Sequence, residues 1–132
     1  MSQENVEIVR RVIDAFAHRD LDAAVRYNDS KVEVDFSRSH GIEAGVYRGH
    51  QDVRAFWSGF LDAFDRISVS VDEFIECGEH VVVPNRTCFW GREGVEVEAR
   101  STYVVTFRNG RIVEWRLFQT RAEALKAVGL AE

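Results

Sequence analysis

STYVVTFRNGRIVEWRLFQ, residues 101–119, holds two runs of period-two alternation around Arg108-Asn109-Gly110. That pattern describes a β-hairpin with one buried and one wetter face. Its register decides which polar groups point inward. A two-residue Asn-Gly turn pairs Arg108 with Arg111 and sets Tyr103 against Arg116. A three-residue loop with Gly110 in the left-handed bulge position pairs Phe107 with Arg111, Tyr103 with Trp115, Val105 with Val113 and Ser101 with Leu117. The second register keeps an apolar face apart from a polar one, and a one-residue slip mixes them. It is therefore preferred, with Val97, Ala99, Ser101, Tyr103, Val105, Val113, Trp115, Leu117 and Gln119 on the concave side. The opposite side then carries Thr102, Thr106, Ile112, Glu114, Arg116 and Phe118.

The alternation extends upstream. Ile67, Val69 and Val71 begin a strand, Gly78-Glu79 turns it into a strand over 80–90, and 91–94 turns that into one over 95–107. If Trp90 pairs with Val95, Arg86 and Cys88 join the concave face. Before residue 67 the period is helical. Val6, Val9, Val12, Ile13 and Phe16 stripe a helix over 3–18, and Leu21, Ala24 and Val25 stripe a short one capped by Asp20. Val53, Phe56, Trp57, Phe60, Leu61 and Phe64 stripe a third helix over 51–64. Between the helices, Val32, Val34 and Phe36 alternate as a strand, followed by a glycine-rich loop over 37–49. Thr120 and Glu123 have capping-box spacing and open a closing helix that stops at Gly129. The order predicts one α+β domain over 1–132, in which three N-terminal helices pack on a cone-shaped, curved antiparallel or mixed sheet.

Composition limits the partners. The 132 residues carry a net charge of −5 and only one proline, and 45% are hydrophobic. An acidic chain without a basic run is not expected to bind nucleic acid. No apolar run is long enough for a membrane span, and the N-terminus has no signal core, so a cytoplasmic protein is expected. Cys77 and Cys88 sit in no metal or redox spacing and the four histidines in no ligand motif, so neither metal nor cofactor is expected.

FAHRDLDAAV (16–25), VEVDF (32–36), YRGHQDVRAFW (47–57), TFRNGRIVEW (106–115) and TRAEALKAVGL (120–130) together resemble the NTF2-like superfamily, and within it the SnoaL-like, polyketide-cyclase-like proteins. The resemblance spans nearly the whole chain. It implies a cystatin-like roll around a pocket, a small, largely apolar organic ligand, and a homodimer through the outer sheet face. It leaves chemistry open, because the superfamily holds isomerases, cyclases, dehydratases, transport adaptors and members without known activity. Measured against ketosteroid isomerases, the general-base aspartate position looks like Val34. The oxyanion-hole tyrosine position looks like Val12, and the oxyanion-hole carboxylic acid position looks like Tyr103. Steroid isomerisation by that mechanism is not expected.

Two functions stay open on these residues: a cofactor-independent acid/base enzyme (isomerase, cyclase, dehydratase or hydrolase) and a non-catalytic binding or interaction module. Tyr103, central on the concave face, could donate to a ligand oxygen, or serve only as a core tyrosine. Asp35 and His40 are the candidate proton carriers. Alternation turns Asp35 outward, however, and a loop histidine is more often plain surface. Arg86 could hold an anionic group if it faces inward. Cys88, Trp90, Ser101, Trp115 and Gln119 are candidate lining residues, with Trp57 either lining or core.

Overall fold

The computed structural model describes residues 2–40 and 44–130. Residues 41–43, within the glycine-rich loop read from the sequence, lie outside the described residues. The elements in chain order are α1 (Ser2–Ala17), α2 (Leu21–Val25), β1 (Asn28–Asp35), β2 (Val46–Arg48), α3 (Gly49–Ala63), β3 (Arg66–Val71), β4 (Ile75–Cys77), β5 (His80–Trp90), β6 (Glu96–Arg108), β7 (Arg111–Phe118) and α4 (Arg121–Ala127). The sheet order is β2-β1-β7-β6-β5-β3, with β4 also on β5. The β1–β7 pair is parallel and the other pairs are antiparallel. This is the expected α+β roll.

The inner face of the sheet carries Val34, Val81, Val83, Val105, Phe107, Ile112, Trp115 and Leu117, which join Val9, Val12, Val53 and Phe56 of α1 and α3 in the main core. The Asp20 side chain caps α2 by accepting from Ala23 N at 3.1 Å. Thr120 and Glu123 form the reciprocal capping box of α4. That helix does not pack on the main core. It lays Ala124 and Leu125 on Val82, Val104 and Phe118, on the outer face of the sheet.

The final hairpin differs from both registers read above. Asn109 and Gly110 both have positive φ, 53° and 74°, as a two-residue turn of the primed type demands. Arg108 therefore faces Arg111. A bulge follows between Thr106 and Phe107, opposite Glu114 and Ile112, with Val113 as the extra residue. It shifts the register by one, so Tyr103 faces Leu117 and Val105 faces Trp115. The bulge returns Trp115 and Leu117 to the inner face, as expected, through different pairing. Ile112, expected on the outer face, is 1% exposed in the main core. Phe118 does lie outside, but α4 covers it.

The strand read from Ile67 onward is split into β3 and β4. β3 pairs with β5 as far as Asn85, and β4 pairs from Val82, so the gap lies beside Pro84. The Pro84 carbonyl accepts from Asp72 N at 2.9 Å across this gap. In an antiparallel ladder the N–H and C=O of one residue point to the same side. Proline's missing donor thus faces the neighbour that breaks.

Candidate functional site

Parity along β5 settles which residues face the helices. Trp90 pairs with Glu96, not Val95, because the connection contains one more residue than expected and closes through Gly91 N donating to Val95 O at 2.7 Å. Val83, Asn85, Thr87 and Phe89 therefore share the inner face with Tyr103, Ser101, Ala99 and Val97. Arg86, Cys88 and Trp90 are corrected to the outer face. Arg86 is exposed. The Cys88 thiol points to Glu98, and Trp90 Nε1 donates to Glu96 at 3.2 Å with Arg66 over its ring. None of the three lines the cavities described next.

An aromatic shell fills the space between sheet and helices. Phe36 stands at its centre, with Phe56, Trp57, Phe60 and Tyr103 rings within 5.1–6.4 Å. Trp57 meets Trp115 edge-on at 6.0 Å, and Trp115 meets Tyr103 at 5.4 Å. This shell borders an inner cavity of about 50 Å³. Val12, Ile13 and Phe16 of α1 and Trp57 and Phe60 of α3 form one side, and Phe89, Tyr103, Trp115 and Thr87 of the sheet form the other. A larger cleft of about 540 Å³ adjoins it, bounded by His40, Ser101, Gln119, Phe64, Glu98 and Arg100. Phe36, Phe60, Thr87, Phe89 and Tyr103 line both, so the two spaces meet at one aromatic neck.

Polar groups in this apolar setting are few. Asn85 is 2% exposed and Thr87 4%. Asn85 Nδ2 donates to Val83 O at 3.0 Å, and its Oδ1 accepts from Thr87 Oγ1 at 2.9 Å. Burial pushes the Tyr103 phenol above its ordinary pKa, opposed in part by the Thr87 and Ser101 hydroxyls. Trp115 is 5% exposed, and among the described residues its buried Nε1 has no hydrogen-bond partner. Gln119 is anchored at the cleft by Nε2 donating to Arg38 O at 2.6 Å.

The structure thus brings Tyr103, His40, Ser101, Trp115, Trp57 and Gln119 to the two spaces. Asp35 is not among them. It faces away, accepting from Ser37 N at 3.0 Å and Ser37 Oγ at 2.6 Å, with Arg38 at 3.5 Å. Burial raises its pKa, but the Ser37 hydrogen bonds and Arg38 outweigh that, and the net shift is downward. A carboxylate so held is a poor base. The sequence reading missed Phe36, Phe60, Thr87, Phe89 and the buried Asn85. Asn85, Thr87 and Phe89 occupy odd-numbered positions of β5, which a five-residue turn over 91–95 after that strand sets on the inner face. Among the described residues, no three His, Cys, Asp or Glu side chains cluster as a metal site, and no helix is long and apolar enough to cross a membrane.

A SnoaL-like domain model matches residues 9–115. The chain belongs to the SnoaL-like family, within the NTF2-like superfamily. A similar solved structure is an NTF2-like protein of unknown function from Burkholderia pseudomallei, 26% identical, with TM-score 0.77 over 96% of this chain and 98% of that one. A Mycobacterium tuberculosis protein in complex with estradiol-17β-hemisuccinate has TM-score 0.79 at 13% identity, over 89% of this chain and 95% of that one. A Catenulispora acidiphila protein with a ketosteroid isomerase-like fold, in complex with trimethylamine, has TM-score 0.75 at 12% identity, over 94% and 93%. At such identities the last two likenesses speak for the fold alone. No curated protein sequence matches the chain. In this SnoaL-like chain, the two valines that the resemblance sets against the isomerase base and oxyanion tyrosine are buried in the core: Val34 is 1% exposed and Val12 8%.

Proposed function

We propose that this SnoaL-like protein binds a small, largely apolar organic molecule, its apolar part seated in the inner cavity and its remainder in the adjoining cleft. The observation that carries this is the aromatic neck shared by the two spaces, Phe36, Phe60, Phe89 and Tyr103. Apolar walls with a few convergent polar groups are the usual character of a small-molecule site. The solved relatives that hold estradiol-17β-hemisuccinate and trimethylamine support the same reading.

A second reading, cofactor-independent acid/base turnover of that molecule, is favoured by one observation. Tyr103 and His40 line the same cleft. Tyr103 would polarise a substrate oxygen and His40 would move the proton; Asp35 is withdrawn from this role. We also place the protein in the cytoplasm, a reading supported by the free thiols of Cys77 and Cys88. A homodimer would use the strip of outer face that α4 leaves open, around Thr106, Glu114 and Arg116, rather than Ile112 or Phe118.

The test is a thermal-shift screen against steroids, polyketide aromatics, terpenoid epoxides and small lactones. A ligand at one hundred times its Kd adds about 2.7 kcal/mol, or about 10 °C for a chain of this length. A hit that weakens in Tyr103→Phe is the expected result. Absence of any shift across all four classes rejects the binding reading.

A further inference from the structure

Glu96-Val97-Glu98-Ala99-Arg100 opens β6 without glycine or proline, and every residue of the stretch is exposed. Two main-chain contacts fix which way it points its amides. Phe107 N donates to Glu79 O at 2.8 Å, and Val95 O accepts from Gly91 N at 2.7 Å. The β5–β6 ladder runs between them without a slip. The odd-numbered residues of β6 therefore spend their N–H and C=O on β5, and the even-numbered ones point away from it. Thr102, Val104 and Thr106 meet β7 on that side, but β7 ends at Phe118, opposite Thr102. Glu96, Glu98 and Arg100 thus turn their main-chain groups to an edge that no strand occupies among the described residues. Their side chains share the outer face with Trp90, Cys88 and Arg86, while Val97 and Ala99 stand on the inner face at the cleft. Val97 is 47% exposed there. Arg100 makes no ion pair among the described residues.

A bare strand edge is a template for another strand, which natural proteins blunt with proline, bulges or charge. The charges on this edge are of both signs, and they complement themselves when the stretch is reversed. We propose that this edge is an interface between two copies of the chain, in which residues 96–100 of each pair antiparallel about a two-fold axis at Glu98. In that register Glu96 faces Arg100 of the second copy, and Arg100 faces its Glu96. Outward-directed residues meet outward-directed residues, so each such pair exchanges both main-chain hydrogen bonds. Trp90 Nε1 engages one Glu96 carboxylate oxygen and leaves the other for this pairing. Val97 faces Ala99 of the second copy, so each copy adds a side chain to the apolar lip of the other's cleft. Only the Glu98 pair on the axis sets like charges together. Neighbouring registers are worse. An axis at Val97 opposes Glu96 to Glu98, and an axis at Ala99 drives Glu96 of one copy onto Thr102, which β7 already holds. The interface is separate from the outer-face strip around Thr106, Glu114 and Arg116, and it depends neither on that strip nor on a ligand.

Sedimentation equilibrium at low salt gives the dimer dissociation constant for wild type, Arg100→Glu, Glu96→Arg and the double exchange. Each single change turns both Glu–Arg pairs of the interface into like-charge pairs and is expected to weaken the dimer about tenfold or more. The double exchange restores opposite charges with the positions swapped, and should return the constant to within about threefold of wild type. Glu98→Gln removes the like-charge pair on the axis and should tighten the dimer. Amide hydrogen exchange on wild type needs no substitution. Passing from dilute to concentrated protein should protect the amides of Glu96, Glu98 and Arg100, while those of Val97 and Ala99, bonded to β5, keep the protection they have. A dimer indifferent to the charge exchange, with those three amides unprotected, is held by another surface and overturns the inference. A chain that stays monomeric at millimolar concentration overturns it as well. Neither result touches the pocket reading, which the ligand screen tests by itself.

Discussion

Replacing Asn85 by Asp should make the stability of this protein depend steeply on pH. The side chain is 2% exposed, donates from Nδ2 to Val83 O at 3.0 Å and accepts from Thr87 at 2.9 Å. A protonated Asp keeps both bonds, with its O–H in place of the amide N–H. An ionised Asp cannot: it sets a charged oxygen against the Val83 carbonyl in a dry site. The folded-state pKa must therefore rise above the unfolded value of about 3.9. With a raised pKa, the variant matches wild type below about pH 4 and loses stability as pH climbs toward the folded pKa. A rise of about three units, ordinary for a fully buried carboxyl, costs about 4 kcal/mol by pH 7. At about 2.1 cal/mol/K per residue, that is a Tm lower by about 15 °C. The assay is the difference in Tm between variant and wild type, by circular dichroism, from pH 4 to pH 8. A difference that stays flat within about 3 °C across that range refutes the buried Asn85–Thr87 link.

Three other outcomes follow from the same geometry. Tyr103 should ionise above the ordinary tyrosine range, because burial outweighs the Thr87 and Ser101 hydroxyls; phenolate absorbance of wild type minus Tyr103→Phe reads this directly, and an ordinary titration would contradict it. Asp35→Asn should be less stable than wild type at neutral pH, with the gap closing as pH falls through the lowered Asp35 pKa, since a depressed carboxyl stabilises only while ionised; urea midpoints at pH 7 and pH 3 decide, and an unchanging gap rejects it. Phe56→Ala should cost about 3–5 kcal/mol, because the ring is 5% exposed and packs on Tyr47 at 4.0 Å and Phe36 at 5.1 Å; a loss below about 1 kcal/mol in chemical denaturation would mean that this aromatic hub is not the packed core described.

The sequence by itself determined the helices and their stripes, the succession of the longer strands, and the capping box at Thr120 and Glu123, while β2 lies inside the stretch it reads as loop. Each feature so determined is a local matter of period, cap or turn, written within a few residues of where it acts. The facing of β5 was decided by the tertiary structure. There a single residue of loop length reverses every side chain, and Arg86, Cys88 and Trp90 exchanged places with Asn85, Thr87 and Phe89. The same holds at the last hairpin, where the turn and the bulge at Val113 offset one another, and only burial of Trp115 and Leu117 selects the combination. The split of β3 from β4 was written in Pro84, but its meaning depends on which neighbour the proline nitrogen faces. Residues at a sheet-and-helix junction become a site through the sum of such parities. Alternation along one strand specifies two faces, and only packing against the rest of the chain chooses which of them is inside.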